Sequence, residues 1–420
     1  MVMQKLYLRL KTRVDLKTWF LVALIFPIFP PDEGAVQVLL GTFLGKLVTL
    51  GFKAWNGAAI AAVILMILKR NKMGAKGLLA VTFCAILALS TFLHESPSIV
   101  YIVRVMGSTV ILFLLSEIYS GIAFRHYLKA MYYVMTIISV LSAITIYVYY
   151  PGMGSDNKYL YALDNVSVIY ALHGFAVGFV YHLTADKKLT LPFLLIYAVV
   201  GFAYIYARTA TGSIAVVLCA MFVFIYRLGP VKKVSYAVTI FGCVAIFLVV
   251  VVVQQFDAVE QLFIALGKDA TLNGRTRIWE VGWQLISDPL PLGIGLTDSL
   301  VDPYLRSYGF GWRLKIGHLH NIVLEILLKG GIVGFSLFCA MWLANFKSMM
   351  KHKKNIITTS ICVMILISWL VCTLEYRITI YSMWFLVILT YHINDIIAIN
   401  NSEHTEYIVN LRSNQNGTDS

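Results

Sequence analysis

The chain has 420 residues, of which 59% are hydrophobic and 13% charged, with a formal net charge of +13. Soluble domains carry about 25% charged residues, so this composition excludes one, and with it the nucleic-acid reading that so basic a soluble chain would invite. Most of the Lys and Arg stand in short segments between apolar runs, where membrane orientation accounts for them.

Runs of roughly 16–24 apolar residues can cross a bilayer core of about 30 Å as helices. In chain order they predict spans near 18–31, 54–68, 78–93, 99–119, 127–149, 165–184, 189–207, 211–226, 234–254, 321–345, 356–374 and 378–396. The expected fold is therefore an all-α polytopic membrane protein with about a dozen transmembrane helices. Residues 1–254 form the first part of the bundle, with about nine spans, and 321–396 supply the last three. Between them, 255–320 form one large external loop carrying short helices. Residues 397–420 are a polar cytoplasmic tail, whose Asn416-Gly417-Thr418 sequon is a chance match.

The first apolar run ends in Pro and acidic residues without a small-residue cleavage pattern, so no cleavable signal is expected. Residues 36–52 are apolar but contain Lys46 and several Gly. Counting them as a span would invert every later loop, so they are expected to be an interfacial or re-entrant piece on the outer side. The alternative puts the first span there and lays 18–31 on the membrane surface. Basic clusters at Lys69 to Lys76, Arg125 and Lys129, Lys187 and Lys188, Arg227 to Lys233, and Lys347 to Lys354 are separated by even numbers of crossings. All can thus be cytoplasmic, together with both termini. Cys84, Cys219, Cys243, Cys339, Cys362 and Cys372 fall inside apolar runs without metal-ligand spacing and read as small buried side chains.

A second population of cations opposes this rule. Arg104 sits inside the outer end of its span, Arg208 at an outer junction, Glu375 and Arg377 in another outer turn, and the loop adds Arg275, Arg277, Arg306, Arg313 and Lys315. Ionisable groups in a span are costly, at about 2.5–3.5 kcal/mol each on insertion scales. Their gathering on one face points to an anion held there. The bland reading is that each Arg snorkels and that Glu375 and Arg377 form a structural pair.

Within the loop, Asn273-Gly274 and Asp288-Pro289 bracket a predicted helix of about a dozen residues. Ile278, Trp279, Val281, Gly282, Trp283, Leu285 and Ile286 share its apolar arc. Arg275, four residues before Trp279, turns toward that side, whereas Arg277 faces water and can pair with Glu280. A cation in the first turn opposes the helix dipole, a penalty that a bound phosphate would reverse. The loop closes on Gly317-His318-Leu319-His320-Asn321, followed by Glu325 one turn into the next span. His320 at that mouth can act as a base near neutral pH, and Asn321 and Glu325 share a face. His318 and His320 could also be a metal pair, but no Cys or carboxylate spacing completes a site. Neither a metal nor a cofactor is expected.

The string His320-Asn321-Ile322-Val323-Leu324-Glu325, followed by Gly330-Gly331-Ile332-Val333-Gly334, resembles the signature of the O-antigen polymerase/O-antigen ligase family. So does Gly274-Arg275-Thr276-Arg277-Ile278-Trp279 leading to Asp288-Pro289-Leu290-Pro291-Leu292-Gly293-Ile294-Gly295. Arg208 before a small-residue run matches the third block, with Ala207 where a Ser often stands. The resemblance implies a metal-independent, inverting glycosyltransferase that takes a glycan from undecaprenyl diphosphate to an acceptor hydroxyl on the outer face of the cytoplasmic membrane. It makes His320 the base or acceptor-orienting group, and Arg275 and Arg208 holders of the diphosphate. Arg104, Arg377, Arg277, Asn321 and Glu325 are further substrate-binding candidates, while His318 lies outside the motif. The implied partners are the lipid-linked glycan, membrane lipid, a chain-length regulator and a flippase, with no nucleic acid. Polymerisation of repeat units is favoured over ligation to lipid A core or another acceptor. A transporter would instead need midplane charges and internal repeats, and His173 is the one candidate near mid-span.

Overall fold

The computed structural model describes residues 15–70, 73–94, 99–153, 159–161, 164–228, 234–252, 275–287, 291–296 and 318–402. Among them the regular structure is helical, with no strand. The helices are α1 (Leu16–Ile25), α2 (Glu33–Leu40), α3 (Thr42–Arg70), α4 (Ala75–His94), α5 (Ile99–Ile118), α6 (Phe124–Tyr149), α7 (Asp164–Ala185), α8 (Leu191–Tyr206), α9 (Ala210–Leu228) and α10 (Tyr236–Phe247). Then come α11 (Arg275–Ser287), α12 (Ile322–Leu343), α13 (Phe346–Lys351), α14 (Ile356–Leu374), α15 (Met383–Tyr391) and α16 (Ile393–Ser402). The chain is a multi-pass membrane protein. Among the described residues, eight helices are long and apolar enough to cross a bilayer, and ten if the bent pairs α1–α2 and α15–α16 each count as one span. The expected dozen is reached only if the two shorter apolar helices, Leu191–Tyr206 and Tyr236–Val252, also cross.

Residues 36–52 do not form the single re-entrant piece expected. They divide at Gly41, whose φ of 79° ends α2. Residues 42–52 are instead the first part of α3, 29 residues and so about 43 Å long. The bend between α1 and α2, 102°, follows Pro27, Pro30 and Pro31, which remove helical N–H donors. Asp32 then caps α2 by accepting from Ala35 N.

Two polar contacts identify helix ends that share a level. Asp15, the cap of α1, lies 2.8 Å from His126 Nδ1 at the start of α6. Burial raises the Asp15 carboxyl, but hydrogen bonds from Thr18 and His126 outweigh it and hold it at about 2. At that level Tyr132 near the start of α6 also meets His182 near the end of α7. Lys69 and Arg70 in α3, Arg125 in α6 and Arg227 in α9 lie in the terminal turns at this basic end.

The feature that positions the site is a break in α12. At Gly331 the backbone leaves the helix, with φ 60° and ψ −163°. The loop segment 291–296 fills the gap. Ile294 N donates to Leu328 O at 2.8 Å, Gly295 N to Lys329 O at 2.9 Å, and Val333 N to Pro291 O at 3.2 Å. Carbonyls freed by the break are thus satisfied inside the membrane part of the protein, as lipid requires. A Cβ on Gly331 would lie 2.3 Å from Pro291 O, and one on Gly293 would lie 2.4 Å from Gly331 N. The two glycine-bearing motifs therefore meet backbone to backbone. The end of α4 fastens the segment from the other side, with Ser90 Oγ donating to Gly293 O and Leu296 N donating to Thr91 Oγ1.

Candidate active site

Helix α11 begins at Arg275 and ends at Ser287, inside the two turn signals. Its apolar arc is buried as the helical projection requires: Ile278, Trp279, Val281 and Leu285 pack with Ile294, Leu319, Leu324 and Leu328. Trp279 Nε1 donates to Leu319 O at 3.0 Å. Arg275, one turn before Trp279, therefore faces the bundle, and its Nη2 lies 2.6 Å from Glu375 Oε2. Glu280 is exposed. The side chain of Arg277 lies outside the described residues, as do Arg306, Arg313 and Lys315.

The mouth of α12 is pinned at every residue from 318 to 321. Asn321 caps the helix, its Oδ1 accepting from Val323 N and Leu324 N at 3.0 and 3.1 Å. Its Nδ2 donates to Thr373 O, tying this mouth to the end of α14. Leu319 N donates to Glu325 Oε2 at 3.1 Å. His320 takes the left-handed backbone, φ 53°, uncommon outside Gly but more accessible to His, Asn and Asp than to other residues. That twist delivers the imidazole to Glu375, whose Oε1 lies 2.6 Å from His320 Nδ1. Asn321 and Glu325, expected to bind substrate, are buried and bonded within the protein. They shape the backbone that carries His320.

Glu375 is thus the hub. It is not the structural partner of Arg377, as its sequence neighbourhood suggested; it accepts from His320 on one oxygen and from Arg275 on the other. Only 3% of its side chain is exposed, and burial raises its pKa. The His320 hydrogen bond and the two cationic partners outweigh burial, so the carboxyl ends below its ordinary value. A carboxylate there can only accept, which puts a proton on Nδ1, so that in the neutral tautomer Nε2 is the nitrogen left to accept.

Arg377 belongs to His318 instead, its Nε standing 3.1 Å from each ring nitrogen. His318 also packs on His320, ring centroids 4.0 Å apart, so it is no bystander outside the motif. Burial, then the charges of His320, Arg377 and Lys329, hold its pKa well below the ordinary value. A neutral ring is what can accept from Arg377. Lys329 is a member of this group that the sequence reading overlooked. It is buried in α12 at the break, one turn after Glu325, and a lysine four residues after a glutamate inside a span was its available signal.

Two expected arginines stand apart from these contacts. Arg208 forms the exposed tight turn between α8 and α9, with φ 56°. Helix order puts it at the same end of the bundle as Glu375. Arg104 is half-buried in the second turn of α5, and its charge reaches Tyr381 in the turn that carries Glu375 and Arg377. The mid-span His173 is buried between the Ser382 and Ser368 hydroxyls, at 2.7 and 2.5 Å.

The carboxylate missing from the local spacing of the two histidines is Glu375, from 55 residues away. Donor atoms of His318, His320 and Glu375 lie within 4.8 Å of one another. Two of the three donor residues already face a guanidinium group, Glu375 that of Arg275 and His318 that of Arg377. The donor set therefore suits a base–carboxylate–arginine network better than a metal.

Residues 193–339 match the O-antigen ligase family. Over 126 residues the chain is 26% identical to the exopolysaccharide production protein ExoQ of Rhizobium meliloti (strain 1021). That alignment covers 29% of this chain and 28% of the relative, well under two thirds of its length. No solved structure matches the chain.

Proposed function

From the premise that residues 193–339 of this multi-pass membrane protein carry an O-antigen ligase-family domain, we propose that it polymerises polyprenyl-diphosphate-linked glycan repeat units. The reaction takes place on the outer face of the cytoplasmic membrane. The observation that carries the reading is the chain of contacts from His320 through Glu375 to Arg275. His320 Nε2 takes the acceptor hydroxyl proton as that oxygen attacks the anomeric carbon. The glycosyl–phosphate C–O bond breaks, and the diphosphate leaves with both electrons of that bond. Attack opposite the leaving group inverts the centre.

Arg275 commits one nitrogen to Glu375 and keeps further N–H donors for phosphate, with Arg208 and Arg104 at the same end. Both comparisons support a role in surface polysaccharide, and polymerisation rather than ligation is the finer part of the proposal. A polymerase acts on a second lipid-linked repeat, a ligase on lipid A core or another acceptor. Inner-membrane placement, a chain-length regulator and a flippase belong to the same reading.

The test is transfer by purified protein in nanodiscs, using lipid-linked repeat units. His320→Ala slows transfer by roughly 10²–10⁴-fold, leaves donor binding intact, and EDTA has no effect on the wild type. Near-normal turnover of His320→Ala defeats the base assignment. Abolition by EDTA restores the metal pair. In cells, deletion leaves glycan of one repeat; complete unattached lipid-linked polymer would instead mean ligase.

A further inference from the structure

On another flank of the bundle, α7, α8 and α9 enclose a cavity of about 450 Å³ that shares no residue with the Glu375 network. That volume lies within the roughly 300–1,000 Å³ of small-molecule sites. Phe175, Tyr197 and Cys219 are among its apolar walls, and along α8 the lining runs from Leu194 to Tyr204, roughly 15 Å of helix. Ala220, small and exposed, sits on its open side. An apolar void of this kind does not hold water stably, and exposed apolar Phe224 also lines it. One charged residue lines it: Arg227, in the last turn of α9.

Arg227 is exposed and makes no ion pair among the described residues. A cation in a last helical turn complements the helix dipole wherever it stands. Arg227 differs from its basic neighbours in also closing one end of an apolar cavity. Exposed Lys188, on the turn between α7 and α8, adds a second positive charge at that end of the bundle. An occupant complementary to this site has an apolar chain and an anionic head at one level of the membrane. The charge rule assigns that level to the cytoplasmic leaflet, where anionic lipids are attracted by Lys and Arg.

We propose that the cavity is a binding site for an anionic phospholipid, with one acyl chain between α8 and α9 and the headgroup phosphate at Arg227. The headgroup of this resident lipid lies at the end opposite the Glu375 network, and the site stands whether or not the glycan reading does.

Native mass spectrometry of the purified full-length protein tests it, with dioleoyl phosphatidylglycerol or dioleoyl phosphatidylcholine as the probe. The wild type should retain the anionic lipid about ten-fold more strongly, a difference of roughly 1.4 kcal/mol. Arg227→Gln should remove that preference, and Arg125→Gln, at the same basic end but outside the cavity, should keep it. Ala220→Trp, which fills the cavity, should reduce retention of both lipids. Arg227→Gln is a surface change that leaves the fold intact, so it decides the matter even if Ala220→Trp does not fold. Equal retention of the two lipids by the wild type, or an undiminished preference in Arg227→Gln, overturns the proposal.

Discussion

Glu375 is where local sequence and tertiary structure part company. Beside Arg377 it reads as half of a short-range pair, yet its oxygens are taken by residues 55 and 100 positions away. No spacing rule joins such residues; the junction of α11, α12 and α14 does. By contrast, the direction of Arg275 was legible, because the projection that buries Trp279 also turns Arg275 inward. If Glu375 holds the His320 tautomer, Glu375→Gln should cost roughly 10²–10⁴ in turnover, close to loss of the base itself. Arg275→Lys should restore little, since a point charge cannot grip Glu375 and a phosphate together. Steady-state transfer rates at matched protein levels check both, and a Glu375→Gln enzyme within two-fold of wild type removes Glu375 from the mechanism. His318 adds a stability signature. Its folded pKa lies below that of the unfolded chain, so the unfolded state binds the extra proton. Stability is therefore complete above about pH 6.5 and declines as pH falls toward the folded value. Thermal melts between pH 7.5 and 5 should show a falling Tm, with a shallower fall in His318→Gln; an unchanged slope would put the acid sensitivity elsewhere.

At the scale of elements, α11 illustrates what turn chemistry can bound. Asn273-Gly274 and Asp288-Pro289 delimit it to within a residue at each end. The break in α12 shows the opposite case. Gly330-Gly331 follows Lys329 inside a stretch predicted as one span, and a Gly pair permits an opening without requiring one. The opening is stabilised by the 291–296 segment, whose N–H groups satisfy Leu328 O and Lys329 O. The same limit applies to residues 36–52, where prolines upstream and Gly41 decide the division between α2 and α3. Because Gly331 needs a positive φ and no Cβ, Gly331→Ala carries both backbone strain of about 1–3 kcal/mol and a clash with Pro291 O. Gly334, one turn on, has nothing within 4 Å of an added Cβ. Gly331→Ala should lower the Tm by several degrees and loosen the loop against protease, while Gly334→Ala should leave the Tm within about a degree or raise it. Equal effects at the two positions would deny the docking of 291–296 into the break.

For the whole molecule, the two populations of cations set up an argument about orientation. Lys69, Arg70, Arg125, Arg227 and Lys351 lie in terminal turns of their helices. Helix order, with the Asp15–His126 and Tyr132–His182 contacts, brings these turns to one end of the bundle. Arg104, Arg208, Arg275 and Arg377 fall at the other end, where Glu375 organises two of them directly or through His318. The positive-inside rule, which counts short basic loops, would assign the first end to the cytoplasm; the second would then face outward despite its arginines. Such cations oppose the insertion preference, and an anion bound by them would offset that cost. Through the middle of the chain this map rests on charge clusters that recur at even numbers of crossings in the sequence. It was ambiguous near residue 40, where helix length and apolarity do not reveal a bend. Reporter fusions placed after Gln255 and after Lys354 should read opposite compartments, outside for the first and cytoplasmic for the second. A third fusion after Ser402 should agree with the one after Lys354, since α14 and the bent pair α15–α16 intervene. Were the Gln255 and Lys354 fusions to report the same side, the arginine end would no longer be the outer one. Outer-face chemistry at His320 would then have to be abandoned, whatever the geometry of the Glu375 network.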